Sequence, residues 1–462
     1  MSFRYLTFLP LLFAFFACSR PPPPPEQSGE LVVATRNGPT TYFIGPNREP
    51  AGFEFDLVSE FARRNGWRVR WLQADTTAQL FAMLAERRAH LAAAALPDSA
   101  VRAHHLQAGP TIFETPVAVI RRQQDPPLRS VADLVGKRLA LIAGSSHTEL
   151  LQRLKRKYPG LQWATLDNVW PEELLARLDA GEFDAVVVNG MDFDLARNLY
   201  PALAVAFDLG DKQKIVWALS PAAPLTLKDR IERFVADSRR DGTIRYLYER
   251  YWGHVQKLDP GDVIGILERR QKLLPPLRRY FQEAQTLTGI DWRLLAALAY
   301  QESQWNALAT SPTGVRGLMM LTSDTADQLG VSNRLDARQS ILGGARYLAQ
   351  LKDALPASIP EPDRTWMALA AYNQGPGHLE DARRIARHRG GNPDAWADVK
   401  EALPLLGRGG YAKVTLYGYA RGSEARTLAE SIRNYYDILL RLEPAFQSGF
   451  ELSTRDAAAG RG

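Results

Sequence analysis

The sequence predicts two unlike parts in one chain: an α/β region of two lobes over residues 30–255 and a mainly helical region over 262–450. Three observations predict it. Short apolar, β-branched runs alternate with helix-period stretches as far as residue 250, the pattern of layered α/β structure. That alternation spans roughly 225 residues, long for one doubly wound sheet and suited to two lobes. Beyond Asp259-Pro260-Gly261, a strong breaker, no strand-like run of any strength follows.

Taken in order, residues 31–34 read as the first strand and 55–64 as the helix after it. A strand at 69–72, a helix at 78–87 and a buried strand at 91–96 follow. Further strands are read at 117–120, 139–143, 184–188 and 215–219, in sheets expected to be largely parallel, and 230–252 reads as closing helices. A linker at 253–261 then leads to helices at 294–299, 341–351, 366–372 and 432–442, divided by Gly, Pro and Asn turns. Residues 451–462 are small and charged, a frayed tail.

The 462 residues are 45% hydrophobic and 23% charged, which excludes a disordered, collagen-like or multi-span membrane chain. Lys and Arg number 57 against 51 Asp and Glu, for a net charge of +6. This mild excess suits an anionic polymer and is too dilute for nucleic acid, so none is expected as a partner. One cysteine excludes a disulfide framework and a thiolate cluster. His104-His105 lacks a third ligand at fitting spacing, so neither a metal nor a cofactor is expected.

The cysteine ends an apolar run. Residues 1–17 combine Arg4 with an apolar stretch over 6–17, too short to cross a bilayer core of about 30 Å. The stretch resembles a bacterial lipoprotein signal. Cleavage before Cys18 would free a thiol for lipid and hold a soluble protein at a membrane; an ordinary cleaved signal is the alternative. Residues 18–29, with five prolines at 21–25, read as a stiff tether lifting the folded part off the membrane.

The helical part carries the chemistry. Asp291 is placed to cap a helix in which Leu295, Leu298 and Glu302 stand at i, i+3 and i+7, so the carboxylate shares the apolar stripe. Burial there favours the protonated form, as a general acid near neutral pH requires. A glutamate that snorkels to water from the helix end is the bland alternative. Downstream lie a glycine turn, Gly317-Leu318-Met319-Met320, and a helix end, Ala371-Tyr372-Asn373, before Gly375-Pro376-Gly377.

Glu302-Ser303, Gly317-Leu318-Met319 and Ala371-Tyr372-Asn373 follow in the order and spacing of the lysozyme-like lytic transglycosylases of the soluble-lytic-transglycosylase type, which this part resembles. The resemblance implies a lysozyme-like fold acting on peptidoglycan glycan strands. Glu302 would protonate the bond between N-acetylmuramic acid and N-acetylglucosamine. Its carboxylate would then deprotonate the muramyl C6 hydroxyl, giving a 1,6-anhydromuramyl end. Ser303, Met319, Met320, Tyr372 and Asn373 would line the cleft or orient the glutamate. Asp324 and Asp327 read as helix-start charges rather than as a second catalytic acid. The family's usual Tyr-Val pair before the last helix is here Thr427-Leu428-Ala429, so one tyrosine is missing unless Tyr417, Tyr419 or Tyr435 replaces it.

The first part resembles the bacterial extracellular solute-binding proteins that take amino acids, through residues 52–57, 97–102 and 134–138. This implies a periplasmic-binding-protein-like domain of two lobes. Arg102 would grip a carboxylate, with a surface loop residue as the alternative; Gly144-Ser145-Ser146-His147-Thr148 could hold an anion at a helix start; and Asp192 could meet an amino group, with surface helix capping as the favoured alternative. The whole chain then reads as a lipid-anchored lytic transglycosylase at the periplasmic face of the outer membrane. Its first domain is expected to sense a muropeptide or amino-acid-like ligand. A non-catalytic receptor and a hydrolytic muramidase are the rival readings.

Overall fold

The structure, a computed structural model, describes residues 21–447 apart from 39, 46–48, 144, 168, 256, 257, 312, 313 and 412. The expected signal at 1–17, Cys18, Gly144 and the tail at 451–462 lie outside the described residues. No described helix is long and apolar enough to cross a membrane.

The α/β region is built on strands β1 (Glu30–Arg36), β2 (Arg68–Ala74), β3 (Leu91–Pro97), β4 (Gln107–Thr115), β5 (Val117–Arg122), β6 (Leu139–Ile142), β7 (Trp163–Leu166), β8 (Ala185–Asn189), β9 (Leu203–Asp208) and β10 (Gln213–Leu219). They form two sheets, β2-β1-β3-β10-β4 in the first lobe and β9-β5-β8-β6-β7 in the second. The interior strand β1 is apolar from Leu31 to Ala34 and buried there; the edge strand β2 alternates polar and apolar residues, as an edge with one wet face requires. The sheets are mixed, not largely parallel. β1 pairs in parallel with β2 and β3, but β10 runs antiparallel to β3 and β4, and β5 antiparallel to β8 and β9. The cause is the connection between lobes: the chain crosses once from β4 to β5 through Pro116 and returns from β9 to β10. Each crossing feeds a strand into the far sheet in the reverse sense.

Helices α1 (Phe53–Asn65), α2 (Ser146–Lys157), α3 (Pro171–Asp179) and α4 (Gly190–Ala196) cover these sheets, and α5 (Thr243–Tyr251) closes the first lobe. The proline stretch does not stand off as a rod. Val32 N–H donates to His90 Nδ1 at 2.9 Å, leaving His90 Nε2–H to donate to Pro23 O at 3.1 Å. Pro25 is buried and starts a single helical turn ended by Gly29. The tether is therefore docked on the first lobe from Pro23 onward.

The helical region contains α6 (Leu274–Thr288), α7 (Trp292–Ser303), α8 (Ala337–Asp353), α9 (Asp363–Gln374), α10 (Pro376–His388), α11 (Trp396–Ala402) and α12 (Gly422–Leu442) around one core. Every residue of α7 from Trp292 to Tyr300 is buried, so α7 is the axis of this domain. The sequence linker is shorter than expected: Trp252, His254 and Val255 pack inside, and a helix starts at Pro260, capped by Asp259.

Two seams join the domains. At the first lobe, Lys400 on α11 pairs with Glu249 on α5 and with Glu430 on α12. Arg433 donates to the carbonyls of Glu249 and Arg250, Asn434 to that of His254, and His254 meets Asp437 at 2.6 Å. At the second lobe the named contacts are fewer: Asn198 to Asn434 at 2.7 Å, and Arg441 to Glu172 at 2.9 Å and to Leu195 O at 3.2 Å.

Candidate functional site

Glu302 lies in the last turn of α7. Asp291 caps the helix start, its carboxylate accepting from Arg293 N–H at 2.8 Å. The far end stops abruptly, because Gln304 and Trp305 both adopt left-handed backbone with φ of 53° and 61°. Trp305 repays that strain by burying its ring against Tyr300 and donating Nε1–H to Ala296 O at 2.8 Å. The helix end is thus fixed, and with it the direction of the glutamate.

The glycine turn is pressed against this end. Ser303 Oγ sits 2.9 Å from Leu318 O and 3.0 Å from Ala299 O, joining turn to helix. Gly317 has φ 82°, and a Cβ there would stand 1.8 Å from Arg334 O, so only glycine fits. Met319 N–H donates to Ser340 Oγ on α8 at 3.1 Å, and Met319 O accepts from Tyr372 Oη on α9 at 2.7 Å. The ring of Tyr372 leans on Tyr347 of α8 at 5.2 Å. Four segments therefore meet through backbone groups around Glu302.

The electrostatics are simple. Burial pushes the Glu302 carboxyl up to about 7, and no hydrogen bond or ion pair holds it among the described residues. Burial, followed by the Glu302 charge and Tyr347, holds the Tyr372 phenol well above its ordinary range, so it stays a neutral donor. Asp324 and Asp327 are exposed on a short helix capped by Thr322; Asp324 is a first-turn charge as expected, whereas Asp327 is corrected, since it falls in the last turn of that helix.

Ser303 and Tyr372 hold the walls of the site, and Asn373 is exposed at the end of α9. Met320 is half-buried in left-handed backbone, φ 47°. Met319 is corrected: its side chain is fully buried against Gly344 and has no surface to offer a sugar. Leu428 is buried on α12. Of the candidate replacements for the missing tyrosine, Tyr435 is edge-on to Tyr300 beneath α7. Tyr417 and Tyr419 are exposed, and Tyr417 lies over Gly377 just past Asn373.

Between the lobes lies a cleft of about 310 Å³ at the carboxyl ends of β1, β3 and β8, where open α/β sheets bind ligands. Ser145, Ser146, His147, Asn189 and Asp192 line it, with Arg36, Thr77 and Trp170. Burial pushes the Asp192 carboxyl up to about 6, opposed by the Asn189 amide and the Arg36 charge. Burial lowers His147 to about 4, keeping it neutral, while Nε2 meets Asn189 Oδ1 at 3.1 Å. Arg36 lies over the Trp170 ring at 5.1 Å and donates to Thr77. Buried Arg36 Nε, Ser145 Oγ and His147 Nδ1 have no partner among the described residues, as polar groups awaiting a ligand would not. Thr148, next on α2, is corrected: it does not line the cleft, and its Oγ1 is buried without a partner among the described residues.

Arg102 is corrected. It sits on a short helix, Asp98–Ala103, with its side chain 68% exposed and paired to Asp98 at 2.8 Å, and it does not line the cleft. Ala100 does, and two residues of helix turn Arg102 to the opposite face. Arg36 was missed, although its place at the carboxyl end of the first strand was readable. A wider hollow of about 610 Å³, lined by Glu283, Arg338 and Arg346, lies on the other face of α8 and holds none of these residues.

Known proteins agree with both halves. Residues 279–394 match the transglycosylase SLT domain, and residues 31–254 the bacterial extracellular solute-binding proteins, family 3. A membrane-bound lytic murein transglycosylase F of Thiobacillus denitrificans is 64% identical over 95% of this chain and 93% of its own. Those of Nitrosospira multiformis and Methylobacillus flagellatus are 46% and 42% identical over 93% and 94% of this chain, and over 90% and 93% of theirs. With a transglycosylase domain behind a solute-binding domain over nearly its whole length, the chain belongs to the membrane-bound lytic murein transglycosylase F family and is a lytic murein transglycosylase.

Proposed function

We propose that Glu302 works alone as acid and then base in this lytic reaction. Its proton goes to the glycosidic oxygen between N-acetylmuramic acid and N-acetylglucosamine, and that bond breaks. The carboxylate left behind takes the proton of the muramyl C6 hydroxyl while its oxygen bonds to the anomeric carbon. The product is a 1,6-anhydromuramyl end, and no water is consumed. Glycosidases that add water use two carboxylates. The observation that carries this reading is a carboxyl at the end of α7 raised to about 7 by desolvation, with no ion pair to it among the described residues. Tyr372 and Ser303 keep it in place, and Asn373 with Met320 meets the sugar.

Replacing Glu302 by Gln keeps the shape and removes the transferable proton. Glycan cleavage is expected to fall by about 10³-fold or more, with the fold intact. Mass spectrometry of muropeptides released from purified cell wall reads the outcome. Reducing ends in the wild-type products would instead indicate a hydrolytic muramidase, and undiminished cleavage by Glu302→Gln would remove the assignment.

The same proposal gives the interlobe cleft an amino-acid-like ligand, most simply a wall-derived peptide, whose binding alters the lytic rate. Asp192 meets its ammonium group, and Arg36 with Ser145 and Ser146 receives a carboxylate. Lipid on Cys18 holds the enzyme at the outer membrane, facing the periplasm.

A further inference from the structure

The wall of the ligand cleft is not made by the solute-binding domain alone. Arg441, in the last turn of α12 of the catalytic domain, reaches into it beside Trp170, Glu172, Glu173 and Leu195. Its Nη1 makes both contacts, to the Glu172 carboxylate and to Leu195 O at the end of α4. An arginine carries five N–H donors in a rigid fork. Nε and Nη2 of Arg441 make no hydrogen bond among the described residues, and the side chain is 26% exposed. The Glu172 carboxylate, 40% exposed, is a surface partner that a ligand can replace.

The cleft has two cationic stations, Arg36 on the first lobe and Arg441 at the second-lobe rim, with carboxylates at Asp192, Glu172 and Glu173. Such a mixed lining selects a zwitterion. About 310 Å³ is more than one small amino acid fills, so the ligand that occupies it extends from one station to the other.

We propose that Arg441 is part of the ligand site: it takes a carboxylate at the far end of a zwitterionic peptide, releasing Glu172 as it does so. The inference rests on the reading of the cleft as an amino-acid-type site and adds a residue that the other domain supplies. Its value lies in where the contact is felt. The first lobe is clamped to α11 and α12 through Lys400, Glu430, Arg433 and Asn434, so closure moves the second lobe relative to α12. Arg441 is at the end of α12 nearest that motion. Six residues earlier Tyr435 packs edge-on at 4.8 Å against Tyr300, two residues before Glu302. A ligand that holds Arg441 therefore acts on the helix against which the glutamate's own helix rests.

The test uses the full chain and two probes, alanyl-glutamate and the same dipeptide with both carboxylates converted to amides, in titration calorimetry. Arg441→Ala is expected to weaken the acid about ten- to hundredfold and to leave the amide unchanged. Glu172→Gln, which frees the guanidinium without touching it, is expected to bind the acid more tightly than wild type. The ratio of lytic rates with and without the acid should move with these affinities. Equal affinity of wild type and Arg441→Ala for the acid, or weaker binding by Glu172→Gln, would overturn the proposal and leave the amino-acid-type reading standing. No binding of either probe by the wild type would overturn both.

Discussion

Glu302 and Asp192 are both half-buried carboxyls that desolvation pushes upward, to about 7 and about 6, yet their surroundings differ in kind. Among the described residues Glu302 has only desolvation shifting it, while Asp192 has an amide at 3.2 Å and a guanidinium charge opposing its desolvation. The difference follows the task. An acid that must release and recover a proton is left without a partner to fix its charge. A carboxylate that must meet an ammonium group keeps a share of its charge through partners already in place.

That contrast holds only if the lone acid is imposed by rigid packing, and Gly317 is where the packing is tightest. Gly317→Ala places a Cβ against Arg334 O in backbone that side chains rarely adopt. A loss of about 3 kcal/mol or more of stability is expected in chemical denaturation, with lytic activity falling alongside. A tolerated alanine would mean that the turn does not brace the helix end.

A smaller effect separates the two carboxyls directly. Folded Glu302 titrates near 7 against an ordinary 4.5, so folding favours its protonated form. Below pH 4.5 both folded and unfolded chains hold the proton, and the group makes no difference. As pH rises toward 7 the unfolded chain ionises freely while the folded chain does not, and stability falls. Glu302→Gln escapes this, and should stabilise the chain by about 1–3 kcal/mol at pH 8 while leaving it unchanged at pH 4. Asp192→Asn should gain less at pH 8, because it strands the Arg36 charge. The reverse order in thermal melts at the two pH values would break the comparison. The acid step also needs the proton, so the lytic rate should decline as pH passes upward through about 7.

The smallest change sharpens the picture of the walls. Tyr372→Phe removes the bond to Met319 O and leaves that buried carbonyl short of a partner, at about 1 kcal/mol. The glutamate should remain active, with a rate reduced about tenfold or less. A loss as large as that of Glu302→Gln would make Tyr372 a proton carrier rather than a brace.

Much of this was legible in the sequence where period and position coincide. The 3.6-residue spacing set Glu302 on an apolar stripe, and the glycine of the Gly-Leu-Met turn signalled backbone that other residues cannot take. Arg102 misled because a short helix after β3 rotates it away from the face that Ala100 shows to the cleft. Met319 misled because its backbone, not its side chain, serves the site. Strand β4 was hidden by Gly109-Pro110 within it, and β7 by its place at a sheet edge, where none of its four residues is buried and no apolar run is required. Strand direction is not written in local pattern at all, so the reversed strands that follow from crossing between lobes were read as parallel. Arg441 had no local signal, since only tertiary packing brings the last helix to the cleft.

The docking of the proline stretch fixes a distance. From Cys18 to Pro23, where the chain already bonds to His90, there are five residues, which span about 17 Å at full extension. If Cys18 carries lipid, as proposed, the first lobe would ride almost against the bilayer instead of on a long leash. The catalytic domain is clamped to that same lobe, so the anchored enzyme's reach into the wall would be set by the breadth of its own two domains. It would cut only those glycan strands that lie within one molecule's height of the membrane.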